Sequence, residues 1–153
     1  LQSKCAKAGV AVLVVRLPKG CHASGAARFL SPDRALIQLS MRYLSDDHFW
    51  FSFFHEAAHL LLHENGLLFV DSDEGMTRST DSEESEANRF AEQVLISDQL
   101  RQQMLDLPAN GRSIARFAKD IGVSPGIVVG QLQHSGRIKP NHFNSLKTYF
   151  EWK

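Results

Sequence analysis

The stretch FWFSFFHEAAHLLLH, residues 49–63, predicts a long helix that is apolar on most of its sides. A helix that is apolar on most of its sides is typical of a buried position, because most of its surface is unfavourable in contact with water. Ser45, Asp46 and Asp47 precede it and supply a cap and early negative charge, both of which stabilise a helix N-terminus. Asn65-Gly66 predicts its end, because glycine readily adopts the left-handed conformation of a C-terminal cap. We therefore expect the fold to be organised around this helix.

Within this helix, His55-Glu56-Ala57-Ala58-His59 forms the motif HExxH. Helical geometry places the two histidines about 40° apart around the axis and about 6 Å apart along it, so both imidazoles can reach one metal ion. Glu56 projects to the side of that ion, where it can hold and deprotonate a water molecule. Polar side chains are costly to bury without a partner, which a metal ion provides. The motif therefore predicts His55 and His59 as metal ligands and Glu56 as the catalytic base.

A catalytic zinc ion usually has three protein ligands, so the predicted site needs one more. His63 lies about 12 Å from His55 along the axis of a straight helix, which excludes it from the same ion. The next predicted helix carries three glutamates. We expect Glu86 to be the third ligand, because it shares a face with an apolar stripe that includes Phe90. Glu83, one turn earlier, is the reserve candidate, and Glu84 is expected nearer the outer face.

The remaining sequence predicts an α+β fold, with a short helix, a buried strand and a β-hairpin before the HExxH helix. Strands are predicted at residues 10–17, 26–30, 35–40 and 67–70, and helices at 1–8, 45–62, 83–96, 98–105, 113–120 and 124–134. The polar segment 71–81 is a predicted loop. The cluster Pro108-Ala109-Asn110-Gly111 is the best candidate for a boundary. It predicts one domain over residues 1–107 and a helical module over residues 111–153.

The stretch at residues 49–63, followed by EANRFAEQVLIS at 86–97, resembles the ImmA/IrrE family of metallopeptidases. The resemblance covers about residues 8–107 and includes the strand sequences GVAVLVV and IQLS. It implies a zincin-like fold, in which a small antiparallel or mixed sheet packs on the HExxH helix. It also implies a site of His55, His59 and Glu86 with Glu56 as the base. Zinc is the expected metal, one per chain, although two histidines and a glutamate also accept manganese or cobalt.

The same resemblance implies a cytoplasmic bacterial or phage endopeptidase that cleaves a helix-turn-helix transcriptional repressor. Such cleavage would act in stress response, mobile-element control or toxin–antitoxin regulation. The chain begins with Leu1 rather than Met, so we expect a fragment of a longer protein with an XRE-type DNA-binding domain. A membrane protein is excluded, since the longest apolar run, from Gly9 to Val15, is far shorter than the roughly 20 residues of a spanning helix.

A second interpretation is a DNA-binding regulator or antitoxin in which the peptidase-like domain serves as a sensor or interaction module. Residues 1–110 carry 10 basic and 15 acidic side chains, whereas residues 111–153 carry 7 and 2. The segment SIARFAKDIGVSPGIVVGQLQHSGRI has the spacing of a helix-turn-helix. Its second helix offers Gln131, Gln133 and His134 as polar side chains, which is poor for contacts with bases. We expect at most weak, non-specific DNA binding.

The substrate-binding residues are not identified by the sequence. An extended substrate could add to an edge strand, and residues 35–40 are the candidate for that strand. Tyr43, His48, His63 and Tyr149 are candidates for the donor that stabilises the oxyanion.

Overall fold

A computed structural model describes residues 1–18, 20, 22–63, 69–72 and 80–152 of this 153-residue chain. Within those residues it contains four β-strands and six α-helices, which confirms the predicted α+β class. In chain order the elements are α1 (Gln2–Lys7), β1 (Val10–Val14), β2 (Ala23–Ser31), β3 (Arg34–Leu39), α2 (Asp46–Leu62), β4 (Phe69–Ser72), α3 (Asp81–Leu95), α4 (Asp98–Leu105), α5 (Gly111–Ile121), α6 (Pro125–His134) and a 3-10 helix at Asn144–Leu146. None of the helices in this part of the chain has the length and apolar character needed to cross a membrane.

The four strands form one small mixed sheet in the order β1-β3-β2-β4. Strand β1 runs parallel to β3, whereas β2 runs antiparallel to both β3 and β4. One face of the sheet is buried. Val12, Ile37 and Ala27 lie side by side on three neighbouring strands and are each at most 4% exposed. Because successive side chains of a strand alternate between faces, the same face carries the buried Ala35 and Leu39.

Strand β1 was predicted as a buried strand reaching Leu17, and this prediction was wrong in both respects. The strand ends at Val14, and only Val12 of its five residues is buried. Leu13 is 45% exposed. The reason is its place in the sheet: β1 is an outer strand of the described sheet and pairs with β3 alone.

Strand β3 was predicted as an edge strand that receives the substrate, and the structure contradicts this too. It lies between β1 and β2 and is paired on both sides. Its backbone groups are therefore already used within the sheet and cannot take up an additional strand. The outer strands of the described sheet are β1 and β4.

The segment 71–81 was predicted as a loop, but Asp71 and Ser72 belong to β4 and Asp81 begins α3. Residues 73–79 lie outside the described residues. So does the helix stop predicted at Asn65-Gly66.

Helix α2 is buried where the sequence predicted it to be. Phe53, His55, Glu56, Ala58 and His59 are each at most 8% exposed. The last residues of the helix are more open, with Leu61 at 69% exposure. The HExxH motif therefore lies in the buried part of the helix.

The chain forms two compact units. The first contains residues 1–42 and 52–91, and the second contains residues 43–51 and 92–153. The boundaries fall inside α2 and α3, so each of these helices contributes residues to both units. The division into domains at residues 1–107 and 111–153 stays a prediction.

In the second unit, α5 and α6 pack on each other. Asn110 caps α5 by accepting a hydrogen bond from the backbone N–H of Ser113, and Gly122 ends it in the left-handed conformation. Helix α6 is buried over most of its length. The two helices follow each other as predicted, and their assignment as a helix-turn-helix stays a prediction.

The first turn of α2 belongs to this second unit and carries two buried carboxylates. Asp46 accepts hydrogen bonds from the Ser124 hydroxyl at 2.6 Å and from the backbone N–H of Thr148 at 3.0 Å. Asp47 accepts one from the Ser45 hydroxyl at 2.6 Å and forms an ion pair with Lys147 at 2.7 Å. The carboxylates thereby join the start of α2 to α6 and to the C-terminal segment.

We predict that Lys147→Met lowers the free energy of unfolding of the second unit by about 3 kcal/mol, because it leaves the buried charge of Asp47 without its counter-ion. The Lys147 and Asp47 side chains are both 7% exposed. Trp50 and Trp152 are the two tryptophans of the chain and belong to this unit, so urea unfolding followed by tryptophan fluorescence measures the effect. The exposed Lys139 supplies the control, since Lys139→Met should change stability by less than about 0.5 kcal/mol. Equal stability of the two variants would show that the ion pair is dispensable.

Candidate metal centre

Three side chains of the first unit converge at the HExxH motif. The Nε2 atoms of His55 and His59 are 3.1 Å apart. The carboxylate of Glu84 lies 3.2 Å from Nε2 of His55 and 3.4 Å from Nε2 of His59. The two histidines are almost completely buried, while the Glu84 side chain is 26% exposed. Together they form a group that can hold a metal ion.

The donor atoms are close enough together to share one metal ion. Bonds of 2.0–2.2 Å in a tetrahedral zinc site put neighbouring ligand atoms roughly 3.3–3.6 Å apart. The two Nε2 atoms are 3.1 Å apart, and each lies 3.2 or 3.4 Å from a different carboxylate oxygen of Glu84, which is near that range. Two imidazoles and one carboxylate also form the donor set of many catalytic zinc sites, which leave a fourth position open.

Asn88 on α3 fixes the orientation of His55. The Nδ1 atom of His55 lies 3.0 Å from Oδ1 of Asn88 and donates its hydrogen to it. This hydrogen bond turns Nε2 of the ring toward His59 and Glu84. Partners of this kind raise the basicity of a ligating histidine and hold its ring in place. The HExxH motif does not identify this residue, although Asn88 lies four residues after Glu84, on the same side of α3.

The surroundings of His59 favour the neutral form of its imidazole. Burial of the imidazole, reinforced by the neighbouring His55, lowers the pKa of His59 from 6.5 to about 4, against an opposing effect of the Glu84 carboxylate. The ring is therefore uncharged near neutral pH, which is the form that binds a metal ion.

Glu86, the predicted third ligand, does not join the two histidines. Its side chain is 60% exposed, and its carboxylate lies 3.9 Å from Nδ1 of His63. The expected inward orientation of Glu86 was therefore wrong, as was the outward one of Glu84. The error arose from using Phe90 as the guide to the inner face, since Phe90 is only half-buried.

The correct signal was the pair of small residues Ala87 and Ala91, both fully buried on α3. Glu84 precedes Ala91 by seven residues, which places it about 20° away around the helix, whereas Glu86 is about 140° away. The 3.6-residue period therefore assigns Glu84 to the buried face.

Glu83, the reserve candidate, caps α3 instead. Its carboxylate accepts hydrogen bonds from the backbone N–H of Thr80 at 2.6 Å and from the Thr80 hydroxyl at 3.0 Å, while its own N–H donates to that hydroxyl. These bonds lower the pKa of the Glu83 carboxyl. The arrangement is a capping box, and the pattern T-x-x-E at residues 80–83 was a signal for it.

Glu56 is fully buried and packs against the sheet. Its Cγ and Cδ atoms lie close to the backbone of Gly25 on β2. The helix thus presents the predicted base to the strand and the two histidines to α3.

The four candidates for an oxyanion donor are divided between the two compact units. The ring of His63 lies 5.2 Å from that of His59, centre to centre, within the first unit. Tyr43, His48 and Tyr149 belong to the second unit. Which residue stabilises an oxyanion stays a prediction.

The chain is similar in sequence to a known family of peptidases. A family model described as the IrrE N-terminal-like domain, Peptidase_M78, matches residues 7–132. The chain belongs to the Peptidase_M78 family. The match confirms the resemblance to the ImmA/IrrE family and identifies a metallopeptidase-like domain. No curated protein matches the chain.

We predict that Glu84→Gln abolishes stoichiometric zinc binding, because the amide supplies a neutral and weaker donor beside the two histidines. Matched variants on the same helix, Glu83→Gln and Glu86→Gln, should keep about one zinc per chain. Elemental analysis after dialysis against trace zinc measures the difference. Full zinc content in Glu84→Gln together with its loss in Glu86→Gln would restore Glu86 as the ligand.

Proposed function

We propose that the protein is a zinc-dependent endopeptidase that hydrolyses a peptide bond in a protein substrate. The observation that carries this proposal is the convergence of His55, His59 and Glu84 beside the buried Glu56, in a chain of a peptidase family. A purely structural metal site has no need of a base next to its ligands, whereas a hydrolase does.

His55, His59 and Glu84 would hold the metal ion. A bound zinc ion supplies Lewis-acid chemistry, which polarises the scissile carbonyl and lowers the pKa of water. The carboxylate of Glu56 accepts the proton of the attacking water and then delivers it to the nitrogen of the leaving amine. The hydrogen bond from His55 to Asn88 keeps the ligand oriented throughout. Manganese or cobalt can occupy the same donor set.

The proposed substrate is a helix-turn-helix transcriptional repressor in the cytoplasm, and its cleavage would serve stress response, mobile-element or toxin–antitoxin regulation. The support for this finer assignment is the resemblance to the ImmA/IrrE family. Since β3 is paired on both sides, a substrate that adds to the sheet needs one of its outer strands.

The alternative function, a DNA-binding regulator or antitoxin, has less support. A recognition helix must present polar side chains to bases. Gln131 is 5% exposed, Gln133 donates to the carbonyl groups of Pro140 and His142, and His134 lies 3.0 Å from the carboxylate of Glu92. Gln131 is thus buried and Gln133 is bonded within the second unit, which leaves His134, 66% exposed, as the accessible polar side chain of this set.

We predict that Glu56→Gln keeps the zinc ion and the fold but lowers kcat/KM by about 10²–10⁴-fold, because the amide is nearly isosteric and cannot accept a proton. Cleavage of a library of quenched-fluorescence peptides and elemental analysis of the same samples measure both properties. The exposed Glu151 provides a control, and Glu151→Gln should leave both unchanged. Cleavage at the wild-type rate by Glu56→Gln would remove this residue from the mechanism.

A further inference from the structure

Gly25 on β2 lies directly against the side chain of Glu56. A Cβ atom placed on Gly25 would lie 2.7 Å from Cγ and 2.8 Å from Cδ of Glu56, and closer still to Oε1. Separations below 3.0 Å are not found for real Cβ atoms. The three atoms nearest to that position all belong to Glu56. Any side chain at residue 25 would therefore meet this one glutamate first.

The φ angle of Gly25 does not by itself require a glycine. Its φ angle is outside the positive range that favours glycine, which occurs at Gly9, Gly20, Gly122 and Gly136 among the described glycines. Gly25 pairs with Leu39 on β3 and with Asp71 on β4, and the register of the β2–β4 pairing shifts between Ala23 and Gly25. Glycine weakens a strand interior, and its presence there often marks a close approach of another group.

Glu56 has little freedom to move away from this contact. Its side chain is fully buried, so a displaced carboxylate would have to enter packed protein rather than solvent. The metal ligands lie on α3 and on either side of Glu56 along α2, and none of their atoms is among the three nearest to a Cβ at Gly25. An added methyl group at residue 25 would thus move the base and leave the ligands in place.

We propose that Gly25 is a positioning residue, whose missing side chain creates the space that holds the Glu56 carboxylate beside the metal site. The inference rests on the proposed role of Glu56 as the base. The backbone of Gly25, which carries no side chain, limits how far the Glu56 side chain can extend from α2 toward the sheet. The sheet thereby influences the position of the catalytic base. Proton transfer is sensitive to small displacements of the base, so this contact would affect kcat.

The first test is a double-mutant cycle of thermal stability on the zinc-loaded chain, with Gly25→Ala, Glu56→Ala and the combined variant. Gly25→Ala should lower Tm by roughly 3–10 °C when Glu56 is present, as overpacking does in a buried site. In the Glu56→Ala background the same substitution should change Tm by less than about 2 °C. Gly111→Ala is the matched control, because its Cβ would lie at an ordinary 3.6 Å from Leu146. Equal losses in both backgrounds would overturn the proposal.

The second test separates positioning from a general effect on the fold. With the peptide library as substrate, Gly25→Ala should lower kcat by about 10²-fold or more at unchanged KM, with one zinc per chain retained. Adding Gly25→Ala to Glu56→Ala should cause no further loss. A wild-type kcat in Gly25→Ala, or loss of its zinc, would overturn the proposal. An inactive wild-type chain would instead count against the proposed function, while the thermal cycle still decides whether Gly25 and Glu56 are coupled.

Discussion

Burial of polar side chains on an apolar helix is the constraint on which this structure depends. Two imidazoles and a carboxylate are almost inaccessible to solvent in the middle of α2. Transferring such groups out of water is unfavourable unless they find partners. For the histidines, Glu84 and Asn88 supply such partners from α3, while the Glu56 side chain packs against the backbone of β2. The same burial keeps His59 uncharged, which suits it to bind a metal ion.

The two helices of the site depend on small residues for this arrangement. Ala87 and Ala91 are fully buried, and they share the face of α3 that presents Glu84. Gly25 and Ala27 occupy alternate positions of β2, on the face of the sheet that Glu56 contacts. Small side chains allow two packed elements to approach each other closely. Polar groups on the two elements then come within bonding distance. The large apolar side chains of α2 give stability, whereas the small ones determine the geometry of the site.

Much of the fold and of the site followed from the sequence. HExxH at residues 55–59 predicts its own helix, its burial and two ligands, because all three depend on helical periodicity. The third metal ligand was harder to choose among Glu83, Glu84 and Glu86. The choice required knowing which side of α3 faces the protein interior. Phe90 is large yet half-buried, and the fully buried alanines were the better guide. The central position of β3 could not be predicted in the same way, because strand pairing between distant segments leaves no local pattern.

The metal centre proposed for this protein consists of His55, His59 and Glu84, which together bind one ion. Crystals grown with zinc, and measured on both sides of the zinc absorption edge, test it directly. We expect one anomalous peak per chain within about 2.0–2.2 Å of Nε2 of His55, Nε2 of His59 and a carboxylate oxygen of Glu84. A peak bonded to Glu86 in place of Glu84, or no peak between the two histidines, would contradict it.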